Sequence, residues 1–404
     1  MTLNFPGGVK AYAKSACADK EILNISDCRA VCLELERTDD LRLLIPAGAK
    51  TARGTPLGIS GGTPVYSPIA GEFKGILELD GREHLVVTSD GGDESVRVFE
   101  PERRRIEEMS YSDVLNAAKA LAVIETRRGI ALWKLMEKVK DNCRRVIVDC
   151  TETDPSGSAA LRICLESPRA VVGGAKILMR ALAAPKAVFA AESGKREVFE
   201  LLSGQVGDGF PATFARIAEK YPCGDRALMQ AIFIRDLKKG ASAEDDGCLI
   251  VSAETSAALY ECMAEGMPML DKTVCVCGEV KEPSVLKVPL GTTVRDLIAF
   301  CGGMAETAVT VSNSLLNGKI INGSVNGTVS AVIAVTPQKK PRRGCVRCGK
   351  CAGVCPAGLL PYLVNERNNA ELKEYCTRCG CCEYICPSGI PLAGMINAGR
   401  EAET

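Results

Sequence analysis

The hydrophobic positions of this chain follow different periods in successive regions. Between about residues 41 and 100, short apolar runs such as 43–48 and 65–71 are interrupted by Gly and Pro, which is typical of a small β sandwich or barrel. From about 110 to 265, strand-length apolar runs alternate with helix-length segments, a pattern that predicts an open parallel sheet with helices on both faces. From about 272 to 335, strands return around one short helix, which favours a compact β-grasp module.

The same pattern predicts individual elements. In the middle region we expect one helix over 159–182, whose centre Gly173 and Gly174 weaken, and strands at 145–149, 187–191 and 248–251. In the third region we expect a helix at 293–300 and strands at 273–278 and 284–289.

A change in composition marks the start of a last domain. Residues 337–344 hold two Pro, four basic residues and no apolar side chain, as an exposed linker does. Nine of the 21 Cys then lie between Cys345 and Cys386. We therefore expect the following division: an N-terminal segment packing on the barrel at 1–40, a barrel-sandwich at 41–105, an α/β domain at 106–268, a β-grasp at 269–336 and a cysteine-rich domain at 342–404.

Composition excludes several classes of protein. The chain has 404 residues with 50 Lys plus Arg and 50 Asp plus Glu, so no basic field attracts nucleic acid. It contains 21 Cys but a single His, His84, which argues against zinc or non-haem iron sites built on several imidazoles. No signal peptide or membrane-spanning run is visible, so we expect a cytoplasmic protein whose thiols are reduced or bind metal.

Two copies of one cysteine motif lie near the end of the sequence. They are Cys345, Cys348, Cys351 and Cys355 before Pro356, and Cys376, Cys379, Cys382 and Cys386 before Pro387. This Cys-x2-Cys-x2-Cys-x3-Cys-Pro spacing is typical of two 4Fe–4S clusters, in which the fourth Cys of each copy ligates the other cluster. We therefore assign one cluster to Cys345, Cys348, Cys351 and Cys386, and the other to Cys376, Cys379, Cys382 and Cys355. Paired zinc sites would leave the third Cys and the Cys-Pro ending unexplained.

Other cysteines are expected to be structural. Cys381 breaks the spacing of the second motif, so we expect a small side chain packed beside the cluster and not a ligand. Cys275 and Cys277 alternate along a strand and are expected to pack in the core.

The order of these modules resembles that of the RnfC-like family. This family includes the RnfC component of the Rnf ferredoxin–NAD oxidoreductase, cobalamin reductase and the electron-transfer protein associated with proline reductase. The resemblance covers essentially the whole chain and is carried by residues 5–9, 221–224, 278–283, 288–292, 345–351, 355–363 and 386–392. It implies a lipoyl-like barrel-sandwich, a complex-I-like, Rossmann-like α/β domain, a soluble-ligand-binding β-grasp (SLBB) domain and a C-terminal dicluster ferredoxin domain.

In this family the α/β domain carries a glycine-rich loop for FMN and NADH, and the chain departs from it. The equivalent stretch, 121–134, keeps one Gly, is otherwise helix-forming, and places Val123 and Ile124 where a flavin needs space. The segments at 252–255 and 312–318 also differ. The resemblance implies a remnant nucleotide site at Glu152, Asp154, Tyr221 and Gly224, but the altered loop argues against bound FMN or NADH. Arg127 and Arg128 are expected to form a solvated helical face, or alternatively to hold a phosphate.

The resemblance therefore implies an iron–sulfur subunit that relays electrons through two 4Fe–4S clusters. Its expected partners are proteins, namely a flavoprotein, a ferredoxin or a terminal reductase subunit, through which it could associate peripherally with a membrane. The alternative is an NADH dehydrogenase subunit that passes electrons to the clusters through a remodelled FMN site, since a flavin converts two-electron to one-electron transfer. A purely structural subunit would leave eight correctly spaced Cys without a purpose.

Overall fold

The computed structural model describes residues 2–10, 12–35, 40–79, 81–234, 241–338, 342–366 and 373–397. Its strands are β1 Thr2–Leu3, β2 Ile22–Asn24, β3 Ala30–Glu34, β4 Arg42–Leu43, β5 Lys50–Thr51, β6 Pro56–Ser60, β7 Thr63–Tyr66, β8 Gly71–Leu79, β9 Arg82–Ser89, β10 Ile124–Glu125, β11 Ile130–Ala131, β12 Arg145–Asp149, β13 Ala187–Glu192, β14 Ala212–Ile217, β15 Cys248–Ser252, β16 Asp271–Gly278, β17 Ser284–Pro289, β18 Val309–Ser312 and β19 Ala331–Val335.

The α-helices are α1 Tyr111–Ala120, α2 Leu132–Val139, α3 Ala159–Glu166, α4 Pro168–Ala181, α5 Arg196–Val206, α6 Arg226–Phe233, α7 Ala253–Glu265, α8 Val294–Phe300, α9 Lys350–Gly353, α10 Pro361–Glu366, α11 Cys381–Tyr384 and α12 Leu392–Asn397. Short 3-10 helices lie at Ile106–Glu108 and Glu244–Asp246. Along the described part of the chain, no helix combines the length and the apolar composition that crossing a membrane requires.

The centre of the molecule is a parallel sheet in the order β1-β14-β13-β12-β15, as expected for the middle region. Strands β12, β13 and β15 are apolar and buried along nearly their whole length because the sheet is covered on both faces. The chain proceeds from β12 through β13 to β14 and then returns to the other side of β12 with β15. In such sheets a crevice opens at the carboxyl ends of the strands where the order reverses.

The expected single helix over 159–182 is two helices, α3 and α4. The break falls at Ser167, and Pro168 begins α4, where its missing amide hydrogen costs nothing. Gly173 and Gly174 lie inside α4 because α7 packs directly against them. A Cβ at Gly174 would lie 1.8 Å from the Ser256 carbonyl oxygen, so only Gly permits this approach.

The β-grasp prediction is confirmed by a sheet in the order β18-β19-β16-β17-β2, packed against α8. Two further antiparallel sheets, β3-β9-β8-β5 and β4-β6-β7, occupy the region expected to form a sandwich or barrel; their likeness to a lipoyl domain stays a prediction. The N-terminal segment reaches beyond the sandwich region on which it was expected to pack. It contributes β3 to that region, and also β1 to the parallel sheet and β2 to the β-grasp sheet, so it connects three sheets.

Candidate functional site

The two cysteine motifs fold as a structural repeat. The residue two positions after each first Cys has a positive φ, 52° at Arg347 and 59° at Arg378. The Gly two positions later also does, with 71° at Gly349 and 77° at Gly380, and each Gly precedes a one-turn helix, α9 or α11. These conformations fold three Cys of each motif onto one tight turn.

The first predicted ligand set is brought together around one cavity. Cys345, Cys348, Cys351 and Cys386 all line it. The Arg347 amide donates a hydrogen bond to Cys345 Sγ at 3.4 Å. Burial raises the pKa of the Cys351 thiol, and the Tyr362 and Ala352 amides partly oppose that effect by donating to the sulfur. Hydrogen bonds from backbone amides to the sulfur atoms shift the reduction potential of an iron–sulfur group.

The second predicted ligand set is equally close. The pKa of Cys382 is raised to about 12, mainly by burial and then by the negative charges of Cys379, Cys376 and Cys355. These three Cys are therefore its neighbours. Asn397 Nδ2 donates to Cys376 Sγ at 3.7 Å. Each set therefore combines three Cys of one motif with the fourth Cys of the other.

The arrangement of these thiols is compatible with an iron–sulfur group. Within the described ranges, no group of three or more Cys, His, Asp or Glu is placed to hold a single metal ion. Each cubane sulfur ligand binds a different iron, so the four ligands stand farther apart than around a lone ion. Two sets of four thiols, with amide donors to their sulfurs, suit that chemistry.

The two sets have different surroundings. Cys345 and Cys348 are exposed, whereas Cys379 and Cys382 are buried. A Cβ at Gly349 would meet no atom of the described residues within 4 Å, but one at Gly380 would lie 2.3 Å from the Leu316 carbonyl oxygen of the β-grasp. We call Cys345, Cys348, Cys351 and Cys386 the outer set, and Cys376, Cys379, Cys382 and Cys355 the inner set, because only the latter packs against the body.

Cys381 is completely buried and lies beside the inner set. Its Sγ is 4.0 Å from the Tyr221 carbonyl oxygen. A hydrogen bond from Cys381 lowers the pKa of Cys379 to about 7, and the same bond is the main reason that the pKa of Cys381 is raised. Cys381 therefore acts as a thiol donor to a candidate ligand.

The four residues of the predicted nucleotide site are all engaged with protein atoms. The Tyr221 hydroxyl donates to the Cys379 carbonyl oxygen at 2.7 Å and accepts from Ser314 Oγ at 3.2 Å. Asp154 accepts hydrogen bonds from the Tyr12 hydroxyl and, at 2.9 Å, from the Leu315 amide. Tyr221 and Asp154 thus connect the α/β domain to the inner set and to the β-grasp.

Glu152 and Gly224 are also buried and contact each other. Glu152 Oε1 accepts from the Leu161 amide at 2.8 Å, and a Cβ at Gly224 would lie 2.0 Å from the Glu152 carbonyl oxygen. Burial, and then the charge of Glu192, raise the pKa of Glu152 to about 7; burial also raises the pKa of Glu192.

The stretch 121–134 differs from its helical prediction. It forms the hairpin β10–β11 before α2 begins at Leu132. Its Glu125 Oε1 accepts from the Ser252 amide at 3.1 Å, and its Thr126 hydroxyl is 2.7 Å from Ser252 Oγ, so the start of α7 holds the hairpin in place.

Arg127 and Arg128 do not form a solvated face. Arg127 donates to the carbonyl oxygens of Thr151 and, at 2.9 Å, Gly224, and its guanidinium is 3.4 Å from the Asp149 carboxylate. Arg128 pairs with Glu244 at 2.7 Å, with both side chains buried. The phosphate alternative is equally unsupported because both guanidinium groups already face carboxylates.

The residues present do not form a cradle for FMN. Val123 is fully buried in the core, and a Cβ at Gly327 would lie 2.0 Å from Ile124 Cδ1, so the hairpin packs tightly against the β-grasp. The Arg127 side chain crosses the carboxyl end of β12. The Asp149 carboxylate already faces the Arg127 guanidinium, at 3.4 Å, and takes the place that a phosphate would need.

The sequence interpretation missed the buried pairs of Arg127 and Arg128. One signal could have indicated them. The polar run 125–128 follows two apolar residues and precedes Gly129 and the apolar Ile130, which is typical of a hairpin turn between two short strands.

Comparison with known families agrees with this architecture. Residues 130–261 match the Nuo51 FMN-binding domain family, Complex1_51K, and residues 273–327 match the SLBB domain family. The first match begins at β11, after most of the stretch in which the glycine-rich loop is replaced.

Several curated proteins are similar to much of the chain. The RnfC-type component of the proton-translocating ferredoxin:NAD+ oxidoreductase complex of Clostridium ljungdahlii is 27% identical over 299 residues, which are 70% of this chain and 64% of that protein. Its counterpart in the ion-translocating oxidoreductase complex of Klebsiella pneumoniae is 24% identical over 353 residues, 79% of this chain and 45% of that protein. The counterpart in Rhodobacter capsulatus is 29% identical over 248 residues, covering 59% and 48%. The chain thus spans roughly half to two thirds of these relatives' length.

Among solved structures, an NAD+-reducing NiFe hydrogenase in the air-oxidised state aligns with a TM-score of 0.51 and 13% identity, covering 65% of this chain and 53% of that chain. This likeness concerns the fold alone. The two domain matches and the RnfC-type relatives confirm the resemblance to the RnfC-like family that was drawn from the motifs.

Proposed function

We propose that this chain is an iron–sulfur electron-transfer subunit of an oxidoreductase complex. It relays electrons through two 4Fe–4S clusters between a flavoprotein or ferredoxin partner and a reductase. The observation that carries the proposal is the presence of two complete sets of four Cys beside an α/β domain whose Arg127 is already bonded to the chain's own Gly224 carbonyl oxygen. Conduction is thereby favoured over flavin chemistry in this chain.

The domain assignment belongs to the same proposal. The sheets at 41–105 are assigned to a lipoyl-like scaffold, residues 106–268 to the α/β docking platform, 269–336 to the β-grasp and 342–404 to a ferredoxin-type domain. The N-terminal segment, 1–40, connects the first three through β1, β2 and β3.

The chain's own residues have defined roles in this relay. The outer and inner sets supply four thiolates each, and the crossed arrangement keeps the two sites adjacent. Each bound cluster supplies storage for one electron. Cys381, Asn397 and the Arg347 amide donate hydrogen bonds to ligand sulfurs, which stabilises negative charge there. Tyr221 anchors the inner set to the α/β domain.

The relatives support a role inside a complex. They are named as subunits of ferredoxin:NAD+ or ion-translocating oxidoreductase complexes. We infer that this chain likewise works with protein partners, and that any association with a membrane is peripheral and passes through them.

A second candidate function is favoured by the match to the Nuo51 FMN-binding domain family. In it the chain binds FMN and NADH and oxidises NADH, and Glu152, Asp154, Tyr221 and Gly224 contribute to the nucleotide site. The hairpin β10–β11 and the Arg127 contacts argue against it.

The two candidates are separated by an anaerobic ultraviolet–visible spectrum of the purified protein, recorded before and after NADH and again after dithionite. We expect a broad iron–sulfur absorbance that bleaches with dithionite and not with NADH, together with no flavin in an acid extract. Flavin bands that bleach with NADH would establish the second candidate. A protein reconstituted with iron and sulfide that shows no dithionite-sensitive band would exclude both.

A further inference from the structure

The outer set lies within a continuous exposed segment of unusual charge. Every residue from 342 to 350 is exposed, including Cys345 and Cys348. The segment contains Arg342, Arg343, Arg347 and Lys350 and no acidic residue. The whole chain has a formal charge of zero. The four positive charges are therefore concentrated in this segment and do not reflect a basic composition of the chain. We call residues 342–350 the basic rim.

An apolar side chain lies among these charges. Val346 is 65% exposed and stands between two exposed ligands of the outer set. It also lines the cavity that the outer set surrounds. An apolar centre with a charged border is the usual composition of a protein–protein interface.

Among the described residues, the inner set is less accessible than the outer set. Cys379 and Cys382 are buried, Cys376 and Cys355 are partly exposed, Cys379 packs with Val9 and Tyr221, and the Gly380 turn lies against the Leu316 backbone. Electron transfer between proteins requires a close approach of the two redox centres. The outer set, with two fully exposed ligands, is therefore the set that a second protein can approach more closely.

We propose that the basic rim is the docking surface for an acidic electron-carrier protein, which exchanges electrons with the outer set. The inference rests on the proposed relay function and adds to it the surface at which the relay meets a partner and the charge of that partner. One electron is transferred at a time. The iron–sulfur group of the outer set is oxidised as the partner's centre is reduced, or the reverse, and no covalent bond or proton is moved.

Charge complementarity decides the kind of partner. Opposite charges accelerate encounter and orient the partner before contact, and salt weakens this effect. Nucleic acid and anionic lipid are also negative, but neither brings a redox centre to Cys345 and Cys348. A protein with an acidic surface around its own centre satisfies both the charge and the position of the exposed ligands.

The test reverses two charges outside the Cys motif, in the variant Arg342→Glu/Arg343→Glu. The matched control is Lys140→Glu/Lys186→Glu, which changes the net charge equally. Both control residues are exposed and precede β12 and β13, at the edge of the parallel sheet opposite the crevice. The full-length, cluster-loaded protein is titrated with an acidic plant-type 2Fe–2S ferredoxin and, separately, with a basic cytochrome c, and the dissociation constant is measured at low and high salt.

We expect the rim variant to bind the acidic ferredoxin about tenfold more weakly at low salt, with little difference at high salt. The control variant should bind like wild type, and cytochrome c should not bind the rim variant more weakly than wild type. Equal affinity of the rim and control variants for the ferredoxin would overturn the proposal. So would a rim variant whose only loss is binding to anionic phospholipid vesicles or duplex DNA.

Iron content and dithionite bleaching of all three proteins separate this inference from the proposed function. Normal iron and bleaching with unchanged ferredoxin affinity would leave the relay standing and reject the docking surface. Loss of the dithionite-sensitive band in wild type would reject the relay itself.

Discussion

Cys379 and Cys381 lie two positions apart in one turn, yet their side chains are used differently. Cys379 faces the inner set, whereas Cys381 is directed towards the Tyr221 carbonyl oxygen. Between them the backbone turns at Gly380, with φ of 77°, before the one-turn helix α11 begins at Cys381, so the two side chains take different directions. Chemical identity alone does not separate these residues, but the direction of the side chain does.

Because the two side chains point in different directions, we expect different results from substituting Cys379 and Cys381. Cys379→Ala removes a ligand of the inner set, and we expect it to lose about half of the bound iron. Cys381→Ala removes only a hydrogen-bond donor and a small buried side chain, so iron content should stay near that of wild type. Iron and sulfide are measured per chain after anaerobic reconstitution. Unchanged iron in Cys379→Ala, or equal losses in both variants, would show that the ligands are wrongly assigned.

The two cysteine motifs have the same backbone turn but different surroundings. The turns before α9 and α11 share one backbone conformation, with φ of 71° at Gly349 and 77° at Gly380. The first turn faces open space and the second faces the β-grasp backbone. The backbone conformation of each turn is therefore set by the motif itself. What each turn contacts is set by how the cysteine-rich region packs against the β-grasp.

This pair of turns allows a controlled comparison of Gly380→Ala with Gly349→Ala. Both substitutions place a Cβ in the left-handed region at a cost of about 1–2 kcal/mol. Gly380→Ala must also move the Leu316 backbone, so we expect it to destabilise the protein by about 1–3 kcal/mol more. The midpoint and slope of urea unfolding, followed by circular dichroism, measure the difference. Equal effects of the two substitutions would contradict the packing of the second motif against the β-grasp.

Four parts of the molecule meet at Tyr221. Its backbone bonds to Val9, at 2.9 Å and 2.8 Å, its hydroxyl bonds to Cys379 and Ser314, and its ring packs edge-on against Tyr12 with centroids 5.5 Å apart. The N-terminal segment, the α/β domain, the β-grasp and the cysteine motifs therefore meet at one side chain. The resemblance assigned Tyr221 to a nucleotide site, and the structure places it at this junction.

The junction can be tested by comparing Tyr221→Phe with the control Tyr66→Phe. In the native protein the Tyr66 hydroxyl donates to the Ala120 carbonyl oxygen at 2.6 Å, outside the cysteine motifs. Each change removes a hydrogen bond and should lower the free energy of unfolding by about 1 kcal/mol. Only Tyr221→Phe should also speed the release of iron to a ferrous chelator, because it loosens the inner set. Wild-type release rates in Tyr221→Phe would argue against the anchoring role.

The sequence by itself determined what depends on local spacing. The positions of β12, β13 and β15 follow from buried apolar runs, the β-grasp follows from its strand and helix pattern, and the eight candidate ligands follow from two copies of a short motif. Each of these signals lies within a few residues.

The tertiary structure decided what depends on residues distant in the chain. It divides 159–182 into two helices at Ser167, distributes the N-terminal strands over three sheets, and folds 124–131 into a hairpin because Ser252 and Thr255 bond to it. It also places the buried charges of Arg127 and Arg128 opposite Asp149 and Glu244, and it alone makes one cysteine set face outward and the other inward. Burial of a charge or a ligand is set by which neighbours the fold supplies, and no local pattern records those neighbours.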